Sequence, residues 1–336
     1  MTDNVFFGRK IIVRIGDNDS PDDALRFGGE NADFRIDFSI MKTRDGKTQN
    51  SSNIKLYNLN EEQRARANRD FDRIELDFGY EGLDNGQTFP LFIGKILKIT
   101  HQKQGQDIVS TFSCAEGGFA YRNTVVNKSF TSDYTDREVA RELISSMKDL
   151  SIGDLSGIKD VPAAVDGRVR IMSGSTIEKL ETLARNHNAR VTTDNGVVDI
   201  IANDKGKQTT YVPFLNFKTG LLESPVITEK GVEFKCLIQK GFGPNRYVVI
   251  EDTFLGLGRK PVKTKTASSQ TKDVVQSINP ISKIQEKGGG VYRINSLTYS
   301  GSTHSNNCEI KCSAQYSDGF TIEKPENDVS PVLKVL

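Results

Sequence analysis

Alternation of apolar and polar residues with a period of two dominates the first third of the chain and constrains its fold more than any other feature. Such alternation is typical of β-strands that have one buried and one exposed face. Turn formers separate six segments that carry it: FFGRKIIVRIG, DFRIDFSIMKT, NIKLYNL, DRIELDFGY, PLFIGKILKIT and DIVSTFSCA. The pattern predicts a six-stranded antiparallel barrel or sandwich from Asn4 to about Ala115. A capping asparagine and an acidic turn within Asn58–Ala67 predict a short surface helix between the third and fourth strands.

The period changes between about residues 116 and 205, where helical signals replace the alternation. Thr135–Glu138 (TDRE) and Ser175–Glu178 (STIE) have the pattern of capping boxes, and each precedes apolar residues at helical spacing. The second helix is expected to end near Asn186–Asn188. A hairpin should follow at once, because ARVTT and VVDII flank the turn Asp194–Gly196, in which Asn-Gly favours a tight turn. Two helices and a hairpin predict a small α/β domain.

Strand-like segments return from Thr209 onward and predict a second β-domain: TTYVPFLNF, GVEFKCLIQ, RYVVIEDTF, GVYRINSLTYSG and NNCEIKCSAQYS. Between the third and fourth of these lies a basic loop, Gly258–Gly290, with seven lysines and arginines against two acidic residues. This composition is typical of a solvent-exposed loop without partners. The alternative is a segment that becomes ordered on a neighbouring chain. Its candidate contact residues are Arg259, Lys260, Lys263, Lys265 and Lys272.

Bulk composition excludes several classes of partner. The chain has 45 lysines and arginines and 44 aspartates and glutamates, a formal charge of +1, so no whole-chain field favours nucleic acid, an anionic membrane or an acidic substrate. It has no run of about 18 apolar residues and no secretory signal at its start, which predicts a soluble protein made in the cytoplasm. The cysteines fit buried positions in a reducing compartment: Cys114, Cys236, Cys308 and Cys312.

Segments that look like catalytic or nucleotide-binding signatures lack the residues that would complete them. The triplet Asp77–Gly79 matches part of a kinase motif, but no glycine-rich loop or catalytic loop precedes it. Asp45–Thr48 ends like a phosphate-binding loop, yet Met41 stands where the first glycine is required. The three histidines lie far apart, and no nucleophile elbow is present. We therefore predict no catalytic, cofactor-binding or metal-binding residue, which favours a structural or interaction protein over an enzyme.

Five longer segments, taken in their order along the chain, indicate a protein family. They are IELDFGYEG with PLFIGKILKI, SCAEGGFAYRNTVVNKSFTSDYTDREVARELI, SGSTIEKLETLARNHNARVTTDNGVVDI, GLLESPVITEKGVEFKCLIQKGFGPNRYVVIE and GVYRINSLTYSGSTHSNNCEIKCSAQY. With these segments the chain resembles the late-control-protein D-like family of baseplate (tail) hub proteins of tailed bacteriophages. The hub part of type VI secretion spike proteins shares the fold of that family. None of the five segments is a catalytic signature.

The resemblance implies an α+β, mainly β fold, with two tube-like antiparallel β-barrel domains flanking the small α/β domain. The expected boundaries are 1–117, 118–205 and 206–324, followed by a tail at 325–336. The resemblance also implies a homotrimer whose six barrels form a pseudo-hexameric ring between a sixfold tail tube and a threefold spike. Its expected partners are the tail tube, spike, baseplate wedge and tape-measure proteins. It would be assembled in the host cytoplasm, reside in the virion and let DNA pass without sequence-specific binding or a cofactor.

Two other classes of function stay open at this point. Within the same fold, the chain is compatible with the hub of a phage-tail-like bacteriocin or of a type VI device. From a different class, a β-rich adhesin that binds a cell-surface glycan has similar strand patterns. Because some relatives carry a fused hydrolase or needle and this chain stops soon after the second barrel, such a function is expected in a separate protein.

Overall fold

The computed structural model describes residues 6–17, 24–29, 34–164, 168–209, 211–229, 231–251, 290–317 and 332–334. Large antiparallel sheets and few helices make the protein mainly β, as the sequence predicted. Strands β1 to β7 form the first β-unit: Arg9–Gly16, Leu25–Gly28, Ile36–Thr43, Ser51–Tyr57, Arg73–Tyr80, Thr88–Gln104 and Asp107–Ala115. Strands β13 to β19 form the second β-unit: Tyr211–Leu215, Val226–Thr228, Gly231–Leu237, Tyr247–Ile250, Gly290–Ser302, Glu309–Tyr316 and Val332–Lys334.

The segment between the two β-units contains most of the helices. Its strands β8 to β12 span Val125–Phe130, Ser151–Ile152, Arg170–Ser175, Ala189–Asp194 and Val197–Ala202. Helices α1 to α4 span Glu61–Arg69, Gly118–Asn123, Asp136–Ser146 and Thr176–Asn186. Each of the six alternating segments predicted near the start of the chain contains a strand, so that prediction is confirmed. The four-residue strand β2 and the six-residue helix α2 were not predicted, since both are too short to show a period.

Two of the three predicted helix starts are capped as expected. Asn60 caps α1 and Thr135 caps α3, each in a reciprocal capping box with the third residue of its helix. Helix α4 begins where the sequence predicted, but the side chain of Ser175 makes no capping hydrogen bond. Ser175 is also the last residue of β10, where it pairs with Val125 of β8. The strand pairing holds this residue, so the predicted second capping box is wrong in that detail.

The predicted hairpin in the middle segment is confirmed. Strands β11 and β12 pair antiparallel from Ala189–Ala202 to Asp194–Val197. The turn residues Asn195 and Gly196 have φ angles of 52° and 79°. A two-residue turn whose twist matches the twist of the flanking strands requires positive φ at both residues. This turn is brought against the first β-unit, which makes it part of the site described below.

Both β-units belong to one continuous sheet, because β3 of the first unit pairs antiparallel with β17 of the second. We call this pairing the seam. It aligns Asp37–Thr43 with Ser296–Ser302, and Ile40 lies opposite Tyr299. The sequence pattern predicted two groups of strands but did not predict that they share a sheet.

The two β-units also have the same order of strands. The first reads β3-β4-β7-β6-β5-β1-β2, and the second reads β14-β15-β18-β17-β16-β13-β19. In each, the long fourth strand has an irregularity opposite its hairpin partner, between Ile96 and Lys98 in β6 and between Ile294 and Ser296 in β17. The units differ in two respects: β1–β5 is antiparallel whereas β13–β16 is parallel, and the outermost strand β2 directly follows β1 in the chain whereas β19 is the last described strand. The chain thus contains an internal repeat of topology.

One apolar core serves both β-units. It includes inward-facing residues of the first unit, such as Ile40 and Phe112, together with Phe234 and Ile310 of the second. A separate core lies between α3, α4 and the β11–β12 hairpin. All four cysteines are buried and free, as predicted. The shared core means that the two β-units are packed together and joined by strand pairing as well.

We predict that the two helix starts respond differently to loss of their hydroxyl groups. Thr135→Ala should lower the free energy of unfolding by about 1 kcal/mol, because it removes an N-cap hydrogen bond. Ser175→Ala is the matched control and should change it by much less, because its hydroxyl makes no cap bond. Urea titration followed by circular dichroism measures both. Equal losses in the two variants would contradict the assignment of the caps.

Candidate functional site at the seam

The residues singled out from the sequence fall in two kinds of place. The candidate contact residues of the basic loop, Arg259, Lys260, Lys263, Lys265 and Lys272, lie outside the described residues. The kinase-like triplet lies within β5, where Asp77 forms an ion pair with Arg14 at 2.6 Å. In the part of the chain that the structure describes, no group of His, Cys, Asp and Glu side chains is arranged to hold a metal ion. None of the described helices is long and apolar enough to cross a membrane.

The most unusual group of side chains surrounds Lys42, which lies at the seam in β3 and is 1% exposed. Its Nζ is 2.7 Å from Oδ1 of Asp194 and 3.3 Å from Oε1 of Glu116. It also donates a hydrogen bond of 2.7 Å to Oδ1 of Asn195. Asp194 and Asn195 belong to the β11–β12 hairpin, so this one ammonium group ties the middle segment to the first β-unit.

Two further side chains complete the network. Asn50, before β4, donates to Oε2 of Glu116 at 3.0 Å and to the carbonyl oxygen of Thr193 at 2.7 Å. Arg246, before β16 in the second β-unit, lies 2.7 Å from the other carboxylate oxygen of Asp194. Asp194 therefore binds one cation from each β-unit. We call these six residues the Lys42 network: Lys42, Asn50, Glu116, Asp194, Asn195 and Arg246.

The charges of the Lys42 network balance at two positive and two negative groups. Burial alone would raise the pKa of Asp194, but Lys42 and Arg246 outweigh it and hold that pKa at about 2. Burial raises the pKa of Glu116, and the negative charge of Asp194 adds to the effect. Burial opposes the charge on Lys42, yet the two carboxylates raise its pKa above the ordinary value. Asp194 is thus the anion that holds its charge most firmly, because two cations contact it directly.

The sequence contained a signal for this network. In IDFSIMKT, strict alternation places Lys42 in the same row as Ile36, Phe38 and Ile40, which are all buried. Met41 correspondingly points outward and is 51% exposed. A lysine in the buried row of an amphipathic strand requires a partner, because an unpaired buried charge is very costly. The identity of its partners depends on the seam and could not be read from local patterns.

A smaller buried cluster joins helices α3 and α4 of the middle segment. His187 caps the C-terminus of α4, and its Nε2 lies 2.7 Å from Oδ2 of Asp136 at the start of α3. Arg170 of β10 binds the other carboxylate oxygen of Asp136. These ion pairs lie within the middle segment and join the start of α3 to the end of α4, so the cluster orients the two helices.

The fold and the site together define a class of protein. Two β-units of similar strand order are joined at the seam and tied to a small helical segment by the buried pair Lys42–Asp194, which forms a scaffold. The family profile described as baseplate hub gp41 matches residues 25–243. The chain belongs to this baseplate hub family. It is therefore a baseplate hub or tail component, as the resemblance of the five sequence segments implied.

Solved structures share the fold at low sequence identity. The 43 kDa tail protein of prophage MuSo2 from Shewanella oneidensis has a TM-score of 0.54 and 10% identity over 91% of this chain and 98% of its own. The tail protein from Neisseria meningitidis MC58 has the same score and identity over 93% and 98%. A chain of a PdpA–VgrG complex has a TM-score of 0.51 and 8% identity over 97% and 68%. No curated protein sequence is significantly similar to this one.

We predict that the Lys42 network is essential for stability. Lys42→Met should lower the free energy of unfolding by about 3–5 kcal/mol, because it leaves Glu116 buried without a cation and leaves Asp194 with Arg246 alone. Lys55→Met is the matched control: it makes the same change in the neighbouring strand β4, at an exposed position. Chemical denaturation of both variants measures the difference. A loss for Lys42→Met no larger than that of the control would contradict the role of the network.

The pKa of Asp194 predicts a dependence of stability on acid. Because the folded-state pKa of about 2 lies below the usual value of about 3.9, the unfolded chain binds this proton more readily. The contribution of Asp194 is therefore present above about pH 4 and lost as the pH falls towards 2. The stability advantage of the wild type over Asp194→Asn should shrink over that interval. Denaturant titrations at several pH values test this, with Glu62→Gln as the exposed control.

Proposed function

We propose that three copies of this chain form a pseudo-hexameric ring that joins a sixfold tail tube to a threefold spike. The observation that carries the proposal is the internal repeat of strand order in the two β-units. Three chains with two equivalent units each supply six similar positions facing the tube, while the assembly keeps threefold symmetry towards the spike. A closed ring also covers strand edges that would otherwise pair with other chains and cause aggregation.

The proposal includes a division of the chain into functional parts. We assign residues 1–117 and 206–324 to the two tube-like barrel domains, 118–205 to the small α/β domain and 325–336 to the tail. The Lys42 network supports this assignment, because Asp194 of the α/β part binds cations from both barrels. Such an arrangement fixes the angle between neighbouring units of the ring. A fixed angle suits a hub that holds the spike until the tail engages a host.

Passage of DNA through the ring is the second part of the proposal. The candidate lining is the outward face of the central strands β17, β3 and β4, which consists mostly of short hydroxyl and amide side chains. Its residues are Asp37, Ser39, Met41, Thr43, Ser51, Asn53, Lys55, Ser296, Thr298, Ser300 and Ser302. Only Asp37 and Lys55 are charged. A lining with few cations suits passage, because each neutralised phosphate would strengthen retention of the polyanion.

Negative-stain electron microscopy of the purified protein and of assembled tails tests the ring. We expect threefold particles with a central channel, and mass photometry should give three times the mass of the 37.3 kDa chain. A hub that assembles only on its partners would show the ring in tails alone. Tails whose hub position lacks a threefold ring would contradict the proposal.

The basic loop receives a separate test. We propose that Gly258–Gly290 becomes ordered on an adjacent tail or wedge protein, which its excess of lysine and arginine supports. Deleting residues 263–283 should then reduce the yield of assembled particles while leaving the purified hub folded. A control variant replaces residues 263–283 by a glycine–serine linker of the same length. It separates the loss of side-chain contacts from the effect of a shorter loop. Normal assembly of the deleted variant would mean that the loop is only a solvated excursion.

A further inference from the structure

The long strands β6 and β17 occupy equivalent places in the two β-units but have unequal sets of partners. One edge of β17 pairs with β18, and its other edge pairs first with β16 and then, over Ser296–Ser302, with β3. Strand β6 pairs with β7 along one edge and with β5 over Thr88–Lys95 of the other. Its remaining edge, Lys98–Gln104, pairs with no strand in the described part of the chain. This open edge corresponds to the one that accepts β3 at the seam.

Strands β3 and β14 are the second equivalent pair. Each is the first strand of its unit's order, and each pairs on one side with the next strand. The other side of β3 is closed by the seam, where Ile40 is fully buried. The other side of β14 has no partner strand among the described residues, and Val226 and Ile227 are 60% and 48% exposed. Exposed apolar residues on an open edge strand are a liability unless the edge is covered.

The two irregularities align the units residue by residue. Lys98 faces Ser113 directly after the first, and Ser296 faces Ser313 directly after the second, so Lys98 corresponds to Ser296. Counting along each strand then matches His101 with Tyr299. The alignment extends across the sheet through the strand pairings β7–β4–β3 in the first unit and β18–β15–β14 in the second. It matches Ile40 of β3 with Ile227 of β14.

Side-chain contacts support this alignment independently of the strand pairing. The ring of Tyr299 reaches the connection between β15 and β16, where its hydroxyl group donates to the carbonyl oxygen of Phe242 at 3.2 Å. His101 reaches the corresponding connection between β4 and β5, where its Nε2 lies 3.3 Å from Oδ1 of Asn68 in α1. Both residues therefore face inward towards the same part of their unit. At the seam, Tyr299 lies opposite Ile40 of β3. On the corresponding edge of β6, no strand of the described chain places a residue opposite His101.

We propose that β14 of one chain pairs antiparallel with the open edge of β6 in the next chain, and so repeats the seam between subunits. The register follows from the alignment: Val226 lies opposite Gln102, Ile227 opposite His101 and Thr228 opposite Thr100. Six strands separate β14 from β6 in the sheet of one chain, so a second copy supplies the partner. The inference rests on the proposed ring, to which it adds the interface and its register.

This pairing is heterologous, since different edges of the two chains meet. Heterologous contacts close into rings when the rotation between subunits permits it. If the intersubunit contact has the geometry of the seam, neighbouring β-units are related by the same rotation at every contact of the ring, and two such rotations relate one chain to the next. Ile227 would then be buried like Ile40, and the hydrophobic edge of β14 would be covered. The chemistry recognised is that of an extended strand with two exposed apolar residues, Val226 and Ile227, followed by a threonine.

Disulfide formation in the double variant Gln102→Cys/Val226→Cys tests the register. Directly opposite residues have Cβ atoms about 4.5–5.5 Å apart, close to the separation in a disulfide. Mild oxidation should therefore link chains into a ladder that ends at three chains on a non-reducing gel. The native cysteines are all buried and supply a low background. The register control is Lys98→Cys/Val226→Cys, on the same face but about 13 Å further along the strand, which should link far less.

A second pair of variants tests the interface without a crosslink. Ile227→Lys should abolish the trimer, because it places a charge at the centre of the apolar contact. Val125→Lys is the matched control, since Val125 is an exposed apolar strand residue outside the interface and its replacement should leave the trimer intact. Mass photometry and circular dichroism separate loss of assembly from loss of folding.

The outcomes distinguish this inference from the proposed function. Wild-type trimers together with absent crosslinks in the Gln102/Val226 variant would overturn the pairing and leave the ring standing. Equal crosslinking in the register control would also overturn it. A wild-type chain that forms no trimer, alone or in assembled tails, would contradict the ring and the pairing together.

Discussion

The ion pair between Lys42 and Asp194 is the interaction on which the arrangement of the three parts depends. Replacing a buried ion pair by apolar residues is often neutral or stabilising, whereas removing one partner is strongly destabilising. The pair is therefore better understood as a device that specifies orientation than as a source of net stability. Because Arg246 binds the same carboxylate, the hairpin between β11 and β12 has one position relative to both β-units. Any other packing would leave a charge buried without a partner.

The seam and the Lys42 network restrain different movements of the two β-units. Strand pairing aligns the units along one direction, since register fixes how far β3 lies along β17. The network adds a contact from a third element, which restrains the twist about that strand pair. A structure with both restraints behaves as a rigid block of two units. A rigid block suits the proposed ring, in which the hub would join neighbours of different symmetry.

Local patterns predicted the elements well and the long-range pairings poorly. Alternation located the strands, capping residues located α1 and α3, and Asn195-Gly196 located the hairpin. The lysine in the buried row of β3 indicated a polar site but not its partners. The resemblance to the hub family implied two similar barrels, but local patterns did not predict the repeat, because matched positions such as His101 and Tyr299 differ in chemistry. The seam escaped notice because Ser296–Ser302 alternates like any half-exposed strand, and nothing local shows which edge it meets.

The seam has a consequence for the order of events during synthesis. Strand β3 emerges from the ribosome early, while β17 lies near the far end of the chain. At ordinary rates of translation, β3 waits on the order of ten seconds or more for its partner. During that time the first β-unit exposes an unpaired edge that contains Ile40 and Lys42, and the partner of Lys42 at Asp194 lies 152 residues further along the chain. A charge beside a nascent strand edge discourages premature pairing with other chains, so the residue that later fixes the assembled geometry also protects the chain while it is incomplete.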